Sequence, residues 1–450
     1  MNHTDTKYLR NHPTVRRILD ESPHHPTETP VLEAAWLRKI ALEAGADDVG
    51  CVGLERAEMA SQRDDILQAF PYAKTLLSFV CRMNRENLRT PSRSIANLEF
   101  HQSADAVNQT GRRIVQTLER HGIRAAHTAV GFPMEADRWP ARMWVISHKP
   151  VAEAAGLGRM GLHRNIIHPV FGSFILLGTV VLDARIDNDS RPIDYNPCLE
   201  CKLCVGACPT GAIGMDGHFD FSACYTHNYR EFMGGFSDWA ETVAASTSAS
   251  DYRKKIGYAE SVSLWQSLSF GANYKAAYCL SVCPAGEDVV RPFLEDRRRF
   301  IAEVMRPLQD KSETVYVIAG SDAEDHVRRR FPHKSAKRVR NTLRPTSIRT
   351  FLSGLPLVFQ RGRASGLHAT YHFSFTGEET LGVTVVIRDR TLAVREGLHG
   401  RPDFRITADG KTWLGFLAGE VSLFGALLRR KIRFKGPPRL LLAFGRCFPT

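Results

Sequence analysis

At 450 residues, 43% apolar and 24% charged, the chain is too long for a plain ferredoxin and apolar enough to build several cored domains. Sixty Lys and Arg against 48 Asp and Glu give a net charge of +12, which suits anionic partners without selecting one. The longest apolar run, "FILLGTVVL", is about half of a bilayer span, and the N-terminus carries neither a signal-peptide core nor a twin-arginine pattern, so a soluble cytoplasmic protein is expected.

Residues 1–30 read as an N-terminal extension and 31–190 as an α/β core. "VLEAAWLRKIALEAGADDVGCVGL" predicts an amphipathic helix, a glycine stop and a short strand. "YAKTLLSFV" predicts a second strand, "SADAVNQTGRRIVQTLERHGI" a long helix, and "GSFILLGTVVLDA" a buried strand or hairpin. Between the last two lies "AGLGRMGLHRNIIHPVFGSF", a literal Gly-x-Gly-x-x-Gly at Gly156, Gly158 and Gly161, with Asp183 at the distance of a ribose-binding acid. A dinucleotide site needs a strand before and a helix after. Here "PVAEAAGLG" is helical in pattern, and Pro169 with another glycine breaks any helix that follows, so that reading fails. Glycine at this density still places the backbone close to something bulky.

Residues 191–300 hold most of the ten cysteines, which in a reducing cytosol point to metal rather than disulfides. "CLECKLCVGACPTGAI" is a complete Cys-x2-Cys-x2-Cys-x3-Cys-Pro run, and "YKAAYCLSVCPAG" a second copy with Ala276 where its first cysteine belongs. Three cysteines of a run wrap one face of a [4Fe–4S] cube and a remote cysteine supplies the fourth bond. Cys198, Cys201, Cys204 and Cys283 then hold one cluster, while Cys208, Cys224 and Cys279 hold a second. A zinc ribbon pairs two Cys-x2-Cys knuckles and does not use this dense run. The second site, short of one thiolate, is either a [3Fe–4S] cluster or a [4Fe–4S] cube completed by another donor; His227, three residues after Cys224, is the nearest. Cys51, Cys81 and Cys447 read as small buried hydrophobes.

Residues 301–345 read as a basic linker: from His326 to Arg349 there are nine Arg or Lys and no acid. Residues 346–450 form a separate α+β unit. "LHATYHFSFTG", "TLGVTVVIRD", "TLAVREGL" and "DFRITADG" are strands, "KTWLGFLAGEVSLFGALLRRKI" is helical, and "PPRLLLAFGRCF" closes the chain.

In order, "AGADDVGCVGL", "FPYAKTLLSF", "HKPVAEAAGLGRMGLHRNIIHPVFGSFILLGTV", the cysteine run, Cys224 and "CLSVCP" resemble epoxyqueuosine reductases and the related reductive dehalogenases over roughly residues 30–290. That resemblance implies a nitroreductase-related core, a two-cluster ferredoxin-like module, and a cobalamin touched by Gly156, Gly158, Gly161, His163 and Glu231. It also implies electrons arriving from a flavodoxin or ferredoxin. The family's acidic proton donor falls at Ser147 here, which leaves His148 or Tyr225 as the acid. The helical repeats that help epoxyqueuosine reductases bind tRNA are not visible, so nucleic acid is not expected as a partner.

"GLHATYHFSFTG", "ITADGKTWLGFLAGE", "KIRFKG" and "LLLAFGRCF" resemble the sterol carrier protein type-two family, which implies an apolar tunnel and a lipid-like ligand. The basic "LLRRKIRFKGPPR" suits peripheral membrane contact. The expectation is an iron–sulfur oxidoreductase acting on a small or lipid-like substrate, against a carrier whose corrinoid pocket has decayed or a tRNA-modifying enzyme.

Overall fold

The computed structural model describes residues 9–20, 31–135 and 143–449. Of the 1–30 extension it describes only 9–20, with a helix over Pro13–Asp20; the remainder lies outside the described residues. Helix α1 (Ala34–Ala44) stops at Gly45, whose φ of 113° few side chains tolerate and whose N–H reaches the Leu42 carbonyl. Strands β1 (Asp48–Gly53) and β2 (Thr75–Arg82) follow, then α2 (Arg93–Arg120), β3 (Ala125–His127) and α3 (His148–Ala154). A small hairpin, β4 (Arg159–Met160) with β5 (Ile166–Ile167), precedes β6 (Ile175–Leu182).

The sheet order is β1–β2–β6–β3, antiparallel throughout, with Thr75 opposite Leu182 and Arg82 opposite Ile175. Leu77, Phe79 and Cys81 pack under α1 and α2, while Leu76 faces Ile66 and Val151 on the other side. Helices thus cover both faces of an antiparallel sheet. That double burial is why β2 and β6 read as continuous apolar runs rather than alternating ones.

The cysteine module is built from short helices: α4 (Leu203–Ala207), α5 (Phe221–Asn228), α6 (Gly234–Ala244), α7 (Tyr258–Phe270) and α8 (Tyr278–Ser281). Residues 301–345 are not a linker. Strand β7 (Thr314–Ile318), helix α9 (Asp322–Arg330) and strand β8 (Ser335–Val339) form a βαβ crossover with parallel strands. Val315, Val317, Ala323 and Val327 pack in one cluster with Cys204 and Cys208. Much of the basic charge is spent internally. Arg328 and Arg338 meet Glu324 at 2.5 and 2.7 Å, Arg340 and Arg344 meet Glu241 at 3.0 and 2.5 Å, and Lys334 meets Glu313 at 2.8 Å. The acids come from elsewhere in the chain, so the stretch alone looked uncompensated.

The C-terminal unit opens with α10 (Ile348–Val358), capped by a Ser347–Thr350 box. Strands β9 (Ala369–Thr376), β10 (Leu381–Arg388), β11 (Thr391–Glu396), β12 (Phe404–Asp409) and β13 (Ile432–Lys435) make a sheet of order β11–β10–β9–β12–β13. Helices α11 (Gly410–Leu417), α12 (Leu423–Leu428) and α13 (Pro438–Cys447) complete it. Tyr371, Phe373, Phe375 and Phe404 are fully buried together with Trp413 and Phe444. This unit is latched to the rest by residues 360–363. Arg361 meets Asp216 at 2.7 Å and Gln360 reaches Asp220 at 3.4 Å; the Gly362 N–H donates to Asp322 at 2.6 Å, and Arg363 meets Asp325 at 2.7 Å. No helix among the described residues is long and apolar enough to cross a membrane.

Candidate metal centre

The chain around the first cysteines is bent tightly: Glu200 and Lys202 take φ of 49° and 62°, left-handed values uncommon outside glycine. These reversals bring Cys198, Cys201 and Cys204 to one cavity, and Cys283 joins them from far along the chain. Leu162, His163, Lys202, Pro284 and Ala285 complete that cavity's wall. Among the described residues no three Cys, His or acidic groups close on one point as a single ion requires. The four thiols instead surround a space, the arrangement a multi-iron core needs, and all four donors are the soft kind it takes. They fit the cluster assigned to them.

Cys208, Cys224 and Cys279 form the second set. Burial, then the neighbouring Cys208, pushes the Cys224 thiol up to about 12; burial, then Cys224 and Cys208, raises Cys279. Cys204 is raised by burial and then by Cys279 and Cys283, so the two sets adjoin. Thiols crowded this way favour the proton until a metal replaces it. The position that a fourth cysteine would take is a methyl: Ala276, whose N–H donates at 2.8 Å to Oδ1 of Asn228 on the helix that carries Cys224.

His227, the expected fourth donor, has its Nδ1 taken by the Tyr316 N–H at 3.3 Å and its ring stacked on Tyr316, while its Nε2 is buried without a partner among the described residues. Burial and the cations Lys275, Lys334, Arg93 and Lys311 hold its pKa down to about 3.

The residues named for proton supply are also placed otherwise. His148 Nε2 donates to the Ala129 carbonyl at 3.0 Å and Nδ1 pairs with Thr179 Oγ1 at 2.8 Å. Burial lowers its pKa, so the ring is a neutral clamp between α3 and β6. The Tyr225 hydroxyl bonds to Thr342 and the Gly234 backbone, and burial raises its pKa. Both side chains are held by hydrogen bonds within the protein.

Three glycines expected against a cofactor meet the protein's own atoms. A Cβ on Gly156 would stand 2.3 Å from the Arg191 carbonyl, one on Gly158 2.4 Å from that of Ile167, and one on Gly161 2.6 Å from the Ile167 side chain. The bulky neighbour is the chain itself: Arg191 for Gly156, and Ile167 of the β4–β5 hairpin for Gly158 and Gly161. Glu231 is saturated by Arg93 at 2.7 Å, Lys275 at 2.8 Å and Ser263 at 2.6 Å, which makes it a tie between α2 and the module. His163 alone among the cofactor candidates reaches a site, and it is the thiol cavity. Its Nδ1 accepts the Asn165 N–H at 3.1 Å, and its Nε2 is buried without a partner.

Sequence reasoning missed Lys149. Its Nζ donates to the Arg164 carbonyl at 2.5 Å and to Asn165 Oδ1 at 3.2 Å, and its charge acts on Cys279 and Cys224. No motif marks it. Only a search for cations near the thiols would have found it.

Two family descriptions match within the chain. Residues 191–214 match a 4Fe-4S binding domain and residues 359–449 the SCP-2 sterol transfer family. Among curated relatives, the epoxyqueuosine reductase of Bacillus anthracis is 27% identical over 184 residues, 39% of this chain and 41% of that protein. That of Vibrio cholerae serotype O1 is 25% identical over 221 residues, 48% of this chain and 54% of that one. The chain therefore spans about half the length of these relatives.

Solved structures with some likeness include epoxyqueuosine reductase from Streptococcus thermophilus, 18% identical with a TM-score of 0.34, covering 60% of this chain and 75% of that one. Another is an epoxyqueuosine reductase with a tRNA-Tyr epoxyqueuosine-modified stem loop, 19% identical with a TM-score of 0.31, covering 43% and 56%. A reductive dehalogenase described in connection with B12-dependent dehalogenation is 16% identical with a TM-score of 0.39, covering 63% and 36%. Scores this low are too weak to argue from.

Proposed function

We propose that this chain is a cytoplasmic iron–sulfur oxidoreductase of the epoxyqueuosine reductase type, carrying electrons through two adjoining clusters toward a substrate. The observation that carries the reading is the convergence of Cys198, Cys201, Cys204 and Cys283, two distant segments, on one cavity. When bound there, a [4Fe–4S] cluster supplies single-electron transfer. Cys208, Cys224 and Cys279 hold the second cluster by three thiolates, with Lys149 offsetting their charge. A flavodoxin or ferredoxin is the proposed donor. A cleft lined by Phe351, Leu355, Leu417 and Phe448 together with Arg344 is the proposed seat of a small or lipid-like substrate.

The residues named for a corrinoid do not fit one. The glycine cradle is filled by Arg191 and Ile167, Glu231 is saturated, and His163 lines the thiol cavity. No step is derived through cobalamin. Added anaerobically, cobalamin is expected to be lost on desalting; a base-off spectrum that persists would overturn this part alone.

Anaerobic purification with iron and sulfide analysis tests the main reading. Brown protein that loses one cluster in Cys283→Ala supports it, and colourless, iron-free protein refutes it. A second reading, action on tRNA, runs against the expectation that nucleic acid plays no part; it takes its substrate class from the tRNA stem loop named with one epoxyqueuosine reductase structure. Salt-dependent tRNA binding would support it. The stretch 326–349 is a poor footprint for it, since Arg328, Arg338, Arg340 and Arg344 are held by Glu324 and Glu241.

A further inference from the structure

The final thirty residues, 421–450, hold Arg429, Arg430, Lys431, Arg433, Lys435, Arg439 and Arg446, and no acid. Among the described residues only Lys431 has an ion pair, with Asp409 at 3.9 Å. In α12, Ala426 faces the core, while Phe424, Leu427 and Leu428 share the opposite face at i, i+3 and i+4 spacing. Phe424 and Leu428 are each 76% exposed. In α13, Arg439, Leu442 and Arg446 occupy one face, with Leu442 68% exposed, while Phe444 and Cys447 fill the core. A folded unit with a well-packed aromatic core has no packing reason to present these side chains to water.

We propose that the outer face of α12 docks on an anionic bilayer, with Phe424 and Leu428 entering the acyl boundary and the unpaired Arg429 and Arg430 that follow them meeting lipid phosphates. Apolar residues flanked by cations are what an interfacial helix needs: the cations draw it to the surface and the apolar face holds it there. A second copy is the poorer occupant, because two such faces bring unpaired cations against each other. The proposal is independent of the reading of the cysteines.

The test uses the full chain and sedimentation with vesicles of phosphatidylcholine, with or without about one-third phosphatidylglycerol. Binding at least about tenfold stronger to the anionic vesicles is expected, falling steeply as salt rises. The double variant Phe424→Glu/Leu428→Glu should lose about tenfold or more of that binding. Both side chains are exposed, so its far-ultraviolet dichroism and iron content should be unchanged. Arg429→Gln/Arg430→Gln should narrow the difference between the two vesicle types. Equal binding to both vesicles, binding untouched by the Glu variant, or a concentration-dependent dimer abolished by that variant would overturn the proposal.

Discussion

His163 offers the sharpest test of the first cluster. Its side chain is 4% exposed, and with Nδ1 accepting the Asn165 N–H the ring proton must sit on Nε2. That N–H has no partner among the described residues, on a side chain that lines the cavity of Cys198, Cys201, Cys204 and Cys283. An orphaned buried donor is costly, and a cluster in the cavity supplies sulfur acceptors. Hydrogen bonds to charged groups contribute about 1.5–3 kcal/mol, and the part that matters is the gain when the cluster takes up one more negative charge. Taking that gain as about 1.2 kcal/mol, and about 1.4 kcal/mol as about 59 mV for one electron, His163→Leu should lower the midpoint potential of this cluster by about 50 mV. The assay is a potentiometric titration followed by electron paramagnetic resonance, with iron content as the control for folding. His163→Gln, which keeps an N–H, should recover part of the shift. A potential unmoved by Leu at full iron content would refute the reasoning.

Three further outcomes follow from the same geometry. Ala276→Cys places a thiol at the open corner of the second set, so a three-iron signal in oxidised protein should be replaced by that of a second four-iron cluster; unchanged spectra at full folding would remove the three-thiolate reading. Asp220 caps α5 through the Ala223 N–H, and burial, with Asp322 adding to it, raises its pKa to about 6. The folded state thus holds its proton more tightly than the unfolded one. Stability is gained as pH falls from about 6 to about 4 and lost as it rises, by at most about 2–3 kcal/mol. Asp220→Asn keeps a capping oxygen without the charge, so it should melt higher than the parent at pH 7 and equally at pH 4; a lower melting point at pH 7 would contradict this. Phe373→Ala empties the centre of the C-terminal core and should cost about 3–5 kcal/mol in denaturant unfolding, while the iron content stays constant.

The cysteine framework was legible because ligand spacing is written locally: each run turns around its own cluster, and the Pro after Cys208 and Cys283 marks where it leaves. Most strands of both sheets were legible for the same reason, through apolar runs bounded by glycine and polar turns; the short Ala125–His127 and Ile432–Lys435 were not. What misled the reading was long-range pairing. Nothing between His326 and Arg349 reveals that Glu241 and Glu324 await its arginines, so a folded βαβ unit looked like a solvated tether. Glycine density announced close approach at Gly156 and Gly158, but not that the approaching body was the chain itself. His148 carried the right chemistry for an acid. Only Thr179 and the Ala129 carbonyl, remote in sequence, disclose that both nitrogens are engaged.

The 360–363 latch makes the sterol-carrier part more than a passenger. Gln360 touches the very carboxylate that starts the helix bearing Cys224, while Arg361 and Arg363 neutralise Asp216 and Asp325 on either side. Cutting the chain ahead of Phe359 would strip those cations from a ring of four aspartates and loosen the footing of the second thiol set. The short peptide 360–363 thereby ties the C-terminal unit to the end of the molecule that bears the second thiol set.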